Sequence, residues 1–380
     1  MRSLLLAPEP FLPAQSGLPL RVLHLARALA REVELDVAVI SEHSAPVAGE
    51  LFRVSHLAGD WGRAGAIVRA AWQPWPVAQI RSRALAQRVR AADWDLVEAH
   101  TLPMMRYVSG ARPSVFDVHD VMTDVTQTIR KVDSRQAMGP IWGYETLKTR
   151  RFEGAAVRRA TAVTVPSDDD AELVERIGAR RVVVVPNGID VEATPHHLPP
   201  TGNRLTFVAY FAWRPNVEAA LELCDEILPR VRARVPSAAL TLVGAAAPTE
   251  LAARAGPGVE LTGRVDDVLP HLRAARVTVM PLRAGGGTRL KVLEALASGD
   301  PVVATPFAVR GLGVRHGVHA LIAESSSDLA ELAITVIESD ELAISLSRAG
   351  RELVQRYAWP EVARPLVELH RELGERSAKR

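Results

Sequence analysis

The sequence has almost no cysteine. Cys224 stands alone among 380 residues, which excludes a disulfide scaffold and any zinc site built from several cysteines, and fits a reducing compartment. Lysine is nearly absent as well. Lys131, Lys148, Lys291 and Lys379 are the four lysines among 46 basic residues, and every other one is arginine. That bias carries no function by itself, but it makes each lysine worth locating. A net charge of +2 provides no field for general nucleic-acid binding. No window holds 18 uncharged apolar residues, so no spanning helix is expected. Met1–Ala7 is a short apolar run with one arginine, closed by Pro8, Pro10 and Pro13. It is too short and too interrupted for a secretory signal, and the expected location is the cytoplasm.

What is present is the balance of a globular protein, 48% apolar and 24% charged. At roughly 150 residues per domain the length suits two domains. Short apolar, β-branched runs alternate with stretches of helical period. Strands are expected at Ser3–Leu6, Leu35–Ile40, Phe52–Leu57, Leu96–Ala99, Val115–Val118, Ala162–Val165 and Val182–Val185 in the first half. In the second half they are expected at Leu205–Ala209, Ala239–Val243, Val259–Thr262, Val277–Pro281, Val302–Ala304 and Ala320–Ala323. Continuous apolar runs signify strands buried on both faces of a parallel sheet. Helical segments such as Leu18–Arg31, Pro215–Arg234 and Thr288–Ser298 lie between them, so the fold class is α/β with doubly wound sheets. The Pro/Gly-rich stretch Pro195–Gly202 has no periodicity and divides the chain into domains 1–197 and 203–357. A helix at about 360–380 is expected to pack back on the first domain. With two such domains, a central cleft between them is the default site.

The strongest chemical signal is Val277–Thr305, which reads strand, glycine loop, helix, turn, strand. Gly285, Gly286 and Gly287 permit close backbone approach to a ligand. Thr288 suits an N-cap, and the free amides and dipole of a helix start make an anion site. Arg289 and Lys291 add positive charge where the dipole disfavours it, which suggests that an anion arrives there. Gly287, Lys291, Glu294 and Ser298 fall at i, i+4, i+7 and i+11 on one helix face. A lysine for phosphate and a carboxylate for hydroxyls, one turn apart, suit a nucleotide sugar. A plain glycine turn before a surface helix, with Lys291 and Glu294 as an ordinary i,i+3 pair, is the other reading. Gly-x4-Gly-Lys-Ser/Thr is absent, and Gly311-Leu-Gly313-Val-Arg-His-Gly317 has the wrong spacing for a dinucleotide fingerprint.

Arg283–Thr305 resembles the donor segment of retaining GT-B glycosyltransferases of family 4, in the subgroup written Gly-Gly-Gly-Thr-Arg-Leu-Lys. Trp213–Ala219, Leu240–Gly244, Leu261–Asp267, Val185–Asp190 and Tyr357–Trp359 follow in the order that family uses. The resemblance implies the GT-B fold and transfer of a sugar from a nucleoside-diphosphate sugar to an acceptor, with retention and without an obligatory metal or other cofactor. UDP-sugars are favoured as donors, with GDP-sugars possible. The acceptor would be a glycan, a lipid-linked glycan or a small molecule. Glu294 matches the second glutamate of the family's Glu-x7-Glu motif, whose implied role is binding the donor ribose. The first glutamate would fall at Gly286 and is missing. The implied diphosphate-binding Arg and Lys fall near Tyr210 and Asn216, neither of which is basic. Arg214, Arg289 and Lys291 are the substitutes, with Arg289 and Lys291 first.

In the first domain the resemblance lays the loop Pro13–Gly17 over the donor phosphates, with Gly17 as its glycine. The loop lacks the histidine that inverting relatives carry. His119, in Phe116-Asp-Val-His-Asp120, matches a histidine near the donor sugar, with Asp120 as its orienting carboxylate, and His100 is a second candidate. His24 reads as packing or surface. Ser167 and Asp266-Asp267 read as helix caps, Cys224 as an apolar filler inside a helix, and Trp72–Pro76 as either a turn or an acceptor-facing segment. Two basic stretches, Arg81–Arg90 and Lys148–Arg159, read as solvated faces or as peripheral contacts with the inner surface of the membrane. A catalytically silent nucleotide-sugar-binding protein and a sugar-nucleotide epimerase are the alternatives.

Overall fold

The computed structural model describes residues 1–12, 17–42, 49–60, 62–132, 139–284 and 290–378. It divides into two compact units, one of residues 1–127, 139–187 and 359–380, the other of 128–138 and 188–358.

The first unit is built on seven parallel strands: β1 (Arg2–Ala7), β2 (Glu34–Ile40), β3 (Arg53–Leu57), β4 (Leu96–His100), β5 (Ser114–Asp117), β6 (Ala162–Val165) and β7 (Val182–Val184). Their order is β3-β2-β1-β4-β5-β6-β7, so the winding reverses between β1 and β4. Every residue of β4, β5 and β6 is buried. This is why these strands read as unbroken apolar runs: helices cover both faces. The ionisable exceptions, Glu98, His100 and Asp117, are therefore the positions that need explaining.

The second unit has six parallel strands: β8 (Arg204–Val208), β9 (Ala239–Val243), β10 (Val259–Leu261), β11 (Val277–Met280), β12 (Val302–Ala304) and β13 (Leu321–Ile322). The order β10-β9-β8-β11-β12-β13 reverses between β8 and β11. Each expected strand appears, with ends shifted by a residue or two. Gly244, just after β9, has φ 149°, and a Cβ there would lie 1.7 Å from the Ala209 carbonyl oxygen. Only glycine lets the ends of β8 and β9 come so close.

The division falls earlier than residue 197. Residues from Gly188 onward already join the second unit. Arg351 donates to the carbonyls of Val191, Thr194 and Ala297 at 2.7–2.9 Å, and buried Arg276 reaches the carbonyl of Pro200 at 3.1 Å. A proline-rich stretch without secondary structure is held by carbonyl-binding guanidinium groups, an interaction invisible to periodicity. The last helix, Trp359–Ala378, belongs to the first unit, where Trp359 stacks on His24 at 4.6 Å between ring centroids. Among the described residues, no helix is long and apolar enough to cross a membrane.

Candidate active site

Each sheet places chemistry at the carboxyl ends of its strands, next to the point where the winding reverses. This is the usual ligand position in doubly wound folds.

In the first unit Gly17 opens the helix Gly17–Leu29 and is exposed. One turn later Arg21 is fully buried. Its guanidinium holds both oxygens of Asp117, at 2.8 and 2.7 Å, and also donates to the carbonyl of Val185 and to Asn187 Oδ1. Thr164 donates to Asp117 Oδ1 at 2.6 Å. Asp117 Oδ2 lies 3.1 Å from both His100 Nδ1 and His119 Nε2, and the two rings meet at 3.0 Å between those nitrogens. His100 Nε2 contacts Glu98 at 2.8 Å, and the other oxygen of Glu98 contacts His370 of the last helix at 2.6 Å.

A buried charge is tolerable only when paired. Burial alone would push the Glu98 carboxyl up, but the hydrogen bonds from His100 and His370 bring it down to about 2. Asp117 is held well below the usual range, against its own burial, chiefly by Arg21. Asp117 and Glu98 overcome burial at His100 and raise it to about 9. His119 goes the other way. Burial outweighs its bond to Asp117 and lowers it to about 4, so the two neighbouring rings are pushed in opposite directions.

The backbone is specialised here as well. Thr101, directly after His100, sits at φ 72° and donates its amide to the Asp117 carbonyl at 3.0 Å. Such strain in a non-glycine residue clusters at functional sites. Buried Glu153 accepts from the amides of Met122 and Thr123 and from the Thr123 hydroxyl. It thereby caps the helix Met122–Val132, which follows the loop carrying His119.

His100, Asp117 and His119 each offer a ligand atom within 4.8 Å of the others, the one such group among the described residues. Both Asp117 oxygens are taken by a buried guanidinium that a cation would have to displace. The donor set fits a hydrogen-bonded cluster better than a metal.

In the second unit Lys291 follows β11 as the second residue of the helix Leu290–Ser298. Its ammonium donates to Asn216 Oδ1 at 2.7 Å and lies 5.4 Å from the Phe207 ring centroid. Asn216 in turn donates to the Tyr210 carbonyl at 2.7 Å. The sequence resemblance expects a basic group near Asn216, and Lys291 brings one there from a different segment. Glu294, one turn along, is partly buried, and burial raises it to about 7 against the influence of Lys291. Arg214 opens the helix Arg214–Glu222, but its guanidinium is engaged by Glu218 and Glu250. That fits a brace better than a phosphate ligand. Gly285, Gly286, Gly287, Thr288 and Arg289 lie outside the described residues.

Sequence reasoning missed Arg21, Glu98 and His370, and it chose Asp120 where Asp117 is the carboxylate on His119. A signal existed: Glu98 and Arg21 are ionisable residues inside apolar runs, where an unpaired charge is not tolerated. Ser167 accepts from the Asp170 amide at 3.2 Å and Asp267 from the Leu269 amide at 2.9 Å, as caps do. Cys224 is half-buried, in a π-turn spanning Leu223–Ile227.

Residues 16–193 match the family Glycosyltransferase Family 4, and residues 202–339 match Glycosyl transferases group 1. Among curated relatives, a phosphatidyl-myo-inositol mannosyltransferase of Mycobacterium leprae is 26% identical over 52% of this chain and 55% of its own length. A D-inositol 3-phosphate glycosyltransferase of Geodermatophilus obscurus is 31% identical over 56% of this chain and 52% of its own. The chain thus spans about half the length of these relatives. Among solved structures, sucrose-phosphate synthase of Thermosynechococcus elongatus superposes with a TM-score of 0.76 at 19% identity, covering 98% of this chain and 99% of that one. Anabaena HepE, solved with UDP and glucose, gives 0.68 at 18% identity, covering 98% and 100%. The fold is GT-B, with two Rossmann-like domains.

Proposed function

We propose that this chain, which carries a Glycosyltransferase Family 4 domain and a Glycosyl transferases group 1 domain, moves a sugar from a nucleoside-diphosphate sugar to an acceptor hydroxyl with retained anomeric configuration. The observation that carries the reading is the Lys291 ammonium at Asn216, with Glu294 one turn away on the same helix. Lys291 would take charge from the departing diphosphate, helped by Arg289 and the amides of Gly285–Arg289, and Glu294 would bind the ribose. Catalysis would rest mainly on electrostatic stabilisation of that leaving group. The acceptor hydroxyl attacks from the leaving group's face and its proton passes to a phosphate oxygen, so no protein nucleophile is needed. His119 would contact the donor sugar. A UDP-sugar is favoured, in keeping with the UDP-glucose complex of Anabaena HepE.

A panel of UDP- and GDP-sugars read by thermal shift tests this directly, because a donor at 100 times its Kd stabilises the fold by about 2.7 kcal/mol. We expect a UDP-sugar to raise Tm and to be consumed with an acceptor. No shift with any donor overturns the reading, binding without turnover favours a silent binder, and exchange at the sugar C2 without transfer favours an epimerase.

The same reading gives the first domain a membrane-facing role, in keeping with a lipid-linked acceptor. Ile67, Val68, Trp72 and Trp75 are exposed beside exposed Ile141, Tyr144 and Leu147. Tyr144 and Lys148 bond the carbonyls of Ala71 and Ala70, which joins the two groups into one face. Arg150 and Arg151 continue it as an exposed basic rim. A second copy would set cations against cations, whereas an anionic bilayer suits both parts. Sedimentation with phosphatidylglycerol vesicles should retain the protein, and Trp72→Ala with Leu147→Ala should weaken retention by roughly tenfold or more. Equal sedimentation with neutral phosphatidylcholine vesicles would sink the electrostatic part.

A further inference from the structure

Two hollows of about 360 and 460 Å³ adjoin in the first unit and share Ala86, Arg90, Arg106 and Tyr107. Together they form one groove between the helix Arg83–Ala91 and the turn Leu102–Tyr107, which follows β4. Arg81, Arg83, Arg90, Arg106 and Arg112 line it, and no aspartate or glutamate does. Other surface arginines find carboxylates, as Arg234 does at Glu338, Arg254 at Asp225 and Arg371 at Glu32. Here Arg81, Arg90 and Arg106 form no ion pair among the described residues. The neighbouring acids stand at the margin: Asp60, 3.9 Å from Arg83, and fully exposed Asp93, 3.4 Å from Arg112.

The groove is built, not a random cluster of side chains. Arg106 is half-buried, and its Nη1 donates to the carbonyls of Val77 and Ile80 at 2.7 and 2.9 Å. Burial, and after it the charges of Arg81 and Arg69, push its pKa down, so like charges are held together without a counter-ion. Tyr107 accepts the Ser82 amide at 2.7 Å, and its own O–H meets no acceptor among the described residues. The helix opens at this point with Ser82 as its cap and no acid in its first turn, so its dipole adds to the positive potential.

The spacing selects among anions. Arg83 and Arg90 lie two turns apart on one helix, about 10 Å. That suits a chain whose own charges repeat better than a single phosphate. None of the exposed large apolar side chains lies on the groove, so it has nothing to insert into a bilayer. Its one aromatic ring, Tyr107, is half-buried and gives no platform for stacked bases. We propose that this groove binds an anionic glycan chain, its carboxylate or phosphate groups paired with Arg81, Arg83, Arg90 and Arg106 and one oxygen accepting from Tyr107. Guanidinium forks match both oxyanions. That the chain is the acceptor rests on the transferase reading; that it binds does not.

The test is calorimetric titration of the full-length protein with a galacturonate hexamer, a glycerol phosphate hexamer and neutral maltohexaose. At least one acidic chain should bind and maltohexaose should not, and the arm that binds tells carboxylate from phosphate. Raising NaCl from about 0.05 to about 0.2 M should weaken binding. Arg81→Ala with Arg90→Ala should weaken it about tenfold or more, with the urea midpoint unchanged because both side chains are exposed. Neither acidic chain binding overturns the proposal, and so does equal binding in the double variant. Tighter binding of a single-stranded oligonucleotide would overturn it in favour of nucleic acid. Loss of vesicle retention in the double variant with glycan binding intact would overturn it in favour of a membrane. A bound acidic chain in a protein that transfers no sugar would refute the proposed function and leave the groove standing. An active transferase that binds neither chain would refute only the groove.

Discussion

At the strand ends of the first unit, two carboxylates, a guanidinium and three histidines are sealed together, each contacting another member of the group. At the strand ends of the second unit, Lys291 and Glu294 are half-buried on one helix, after a glycine-rich segment. The first arrangement already pairs its buried carboxylates before any ligand arrives. The second concentrates positive charge where a helix start already favours an anion. Preorganised polar groups and an incoming charged ligand call for opposite designs: buried pairs resist change, while a binding site must keep partners for what it binds.

Mutation should separate the two regions. The largest effect is expected from Asp117→Asn, which leaves Arg21 buried beside a neutral amide. Stability in urea should drop by about 3–5 kcal/mol, and a loss below about 1 kcal/mol would show that the cluster does not depend on charge balance. Next comes Lys291→Ala. It should remove about 1.5–3 kcal/mol of donor stabilisation, or about 10- to 150-fold in kcat/KM, while the urea midpoint holds. Lys291→Arg should not restore activity, because a planar guanidinium does not replace a compact ammonium between Asn216 and Phe207. A stability loss without a kinetic one would move Lys291 from the ligand to the scaffold.

The smallest effect concerns Glu294. Its carboxyl is raised in the folded protein from 4.5 to about 7, so the folded state binds the extra proton across that window. Stability therefore falls as pH rises through it. Glu294→Gln should match wild type near pH 4 and exceed it near pH 8 by on the order of 1 kcal/mol. Paired urea curves at the two pH values check this, and parallel curves would show that Glu294 is well solvated. Donor affinity in the wild type should rise over the same interval, as the carboxylate that would bind the ribose ionises.

Much of this was legible in the residues. Parallel strands buried on both faces leave continuous Val, Leu and Ala runs, so the β-α alternation reads directly. The glycine loop and the spacing of Lys291 and Glu294 follow from helical period alone. The first-unit cluster was only half legible. His119 and His100 stand at strand ends, but their partners come from Arg21, Glu98 and His370, as far as 272 positions apart in the chain. Asp120, adjacent in sequence, looked the better partner for His119. In a strand, side chains two apart share a face, as Glu98 and His100 do in β4; His119 lies past the end of β5, and the bend there brings its ring to Asp117.

The arginine bias shows the same limit. The count is fixed by composition, yet its use emerges only in three dimensions. Arg106, Arg276 and Arg351 each donate to two or more backbone carbonyls of distant segments, a task for a forked donor and not for an ammonium. The sequence by itself determined the element order, the parallel sheets and the charged helix start after β11, because these depend on local period and spacing. Only the tertiary structure decided which charges pair, which way burial pushes each histidine and where the proline-rich stretch belongs. Burial and partners set a proton's position, and both are properties of packed space.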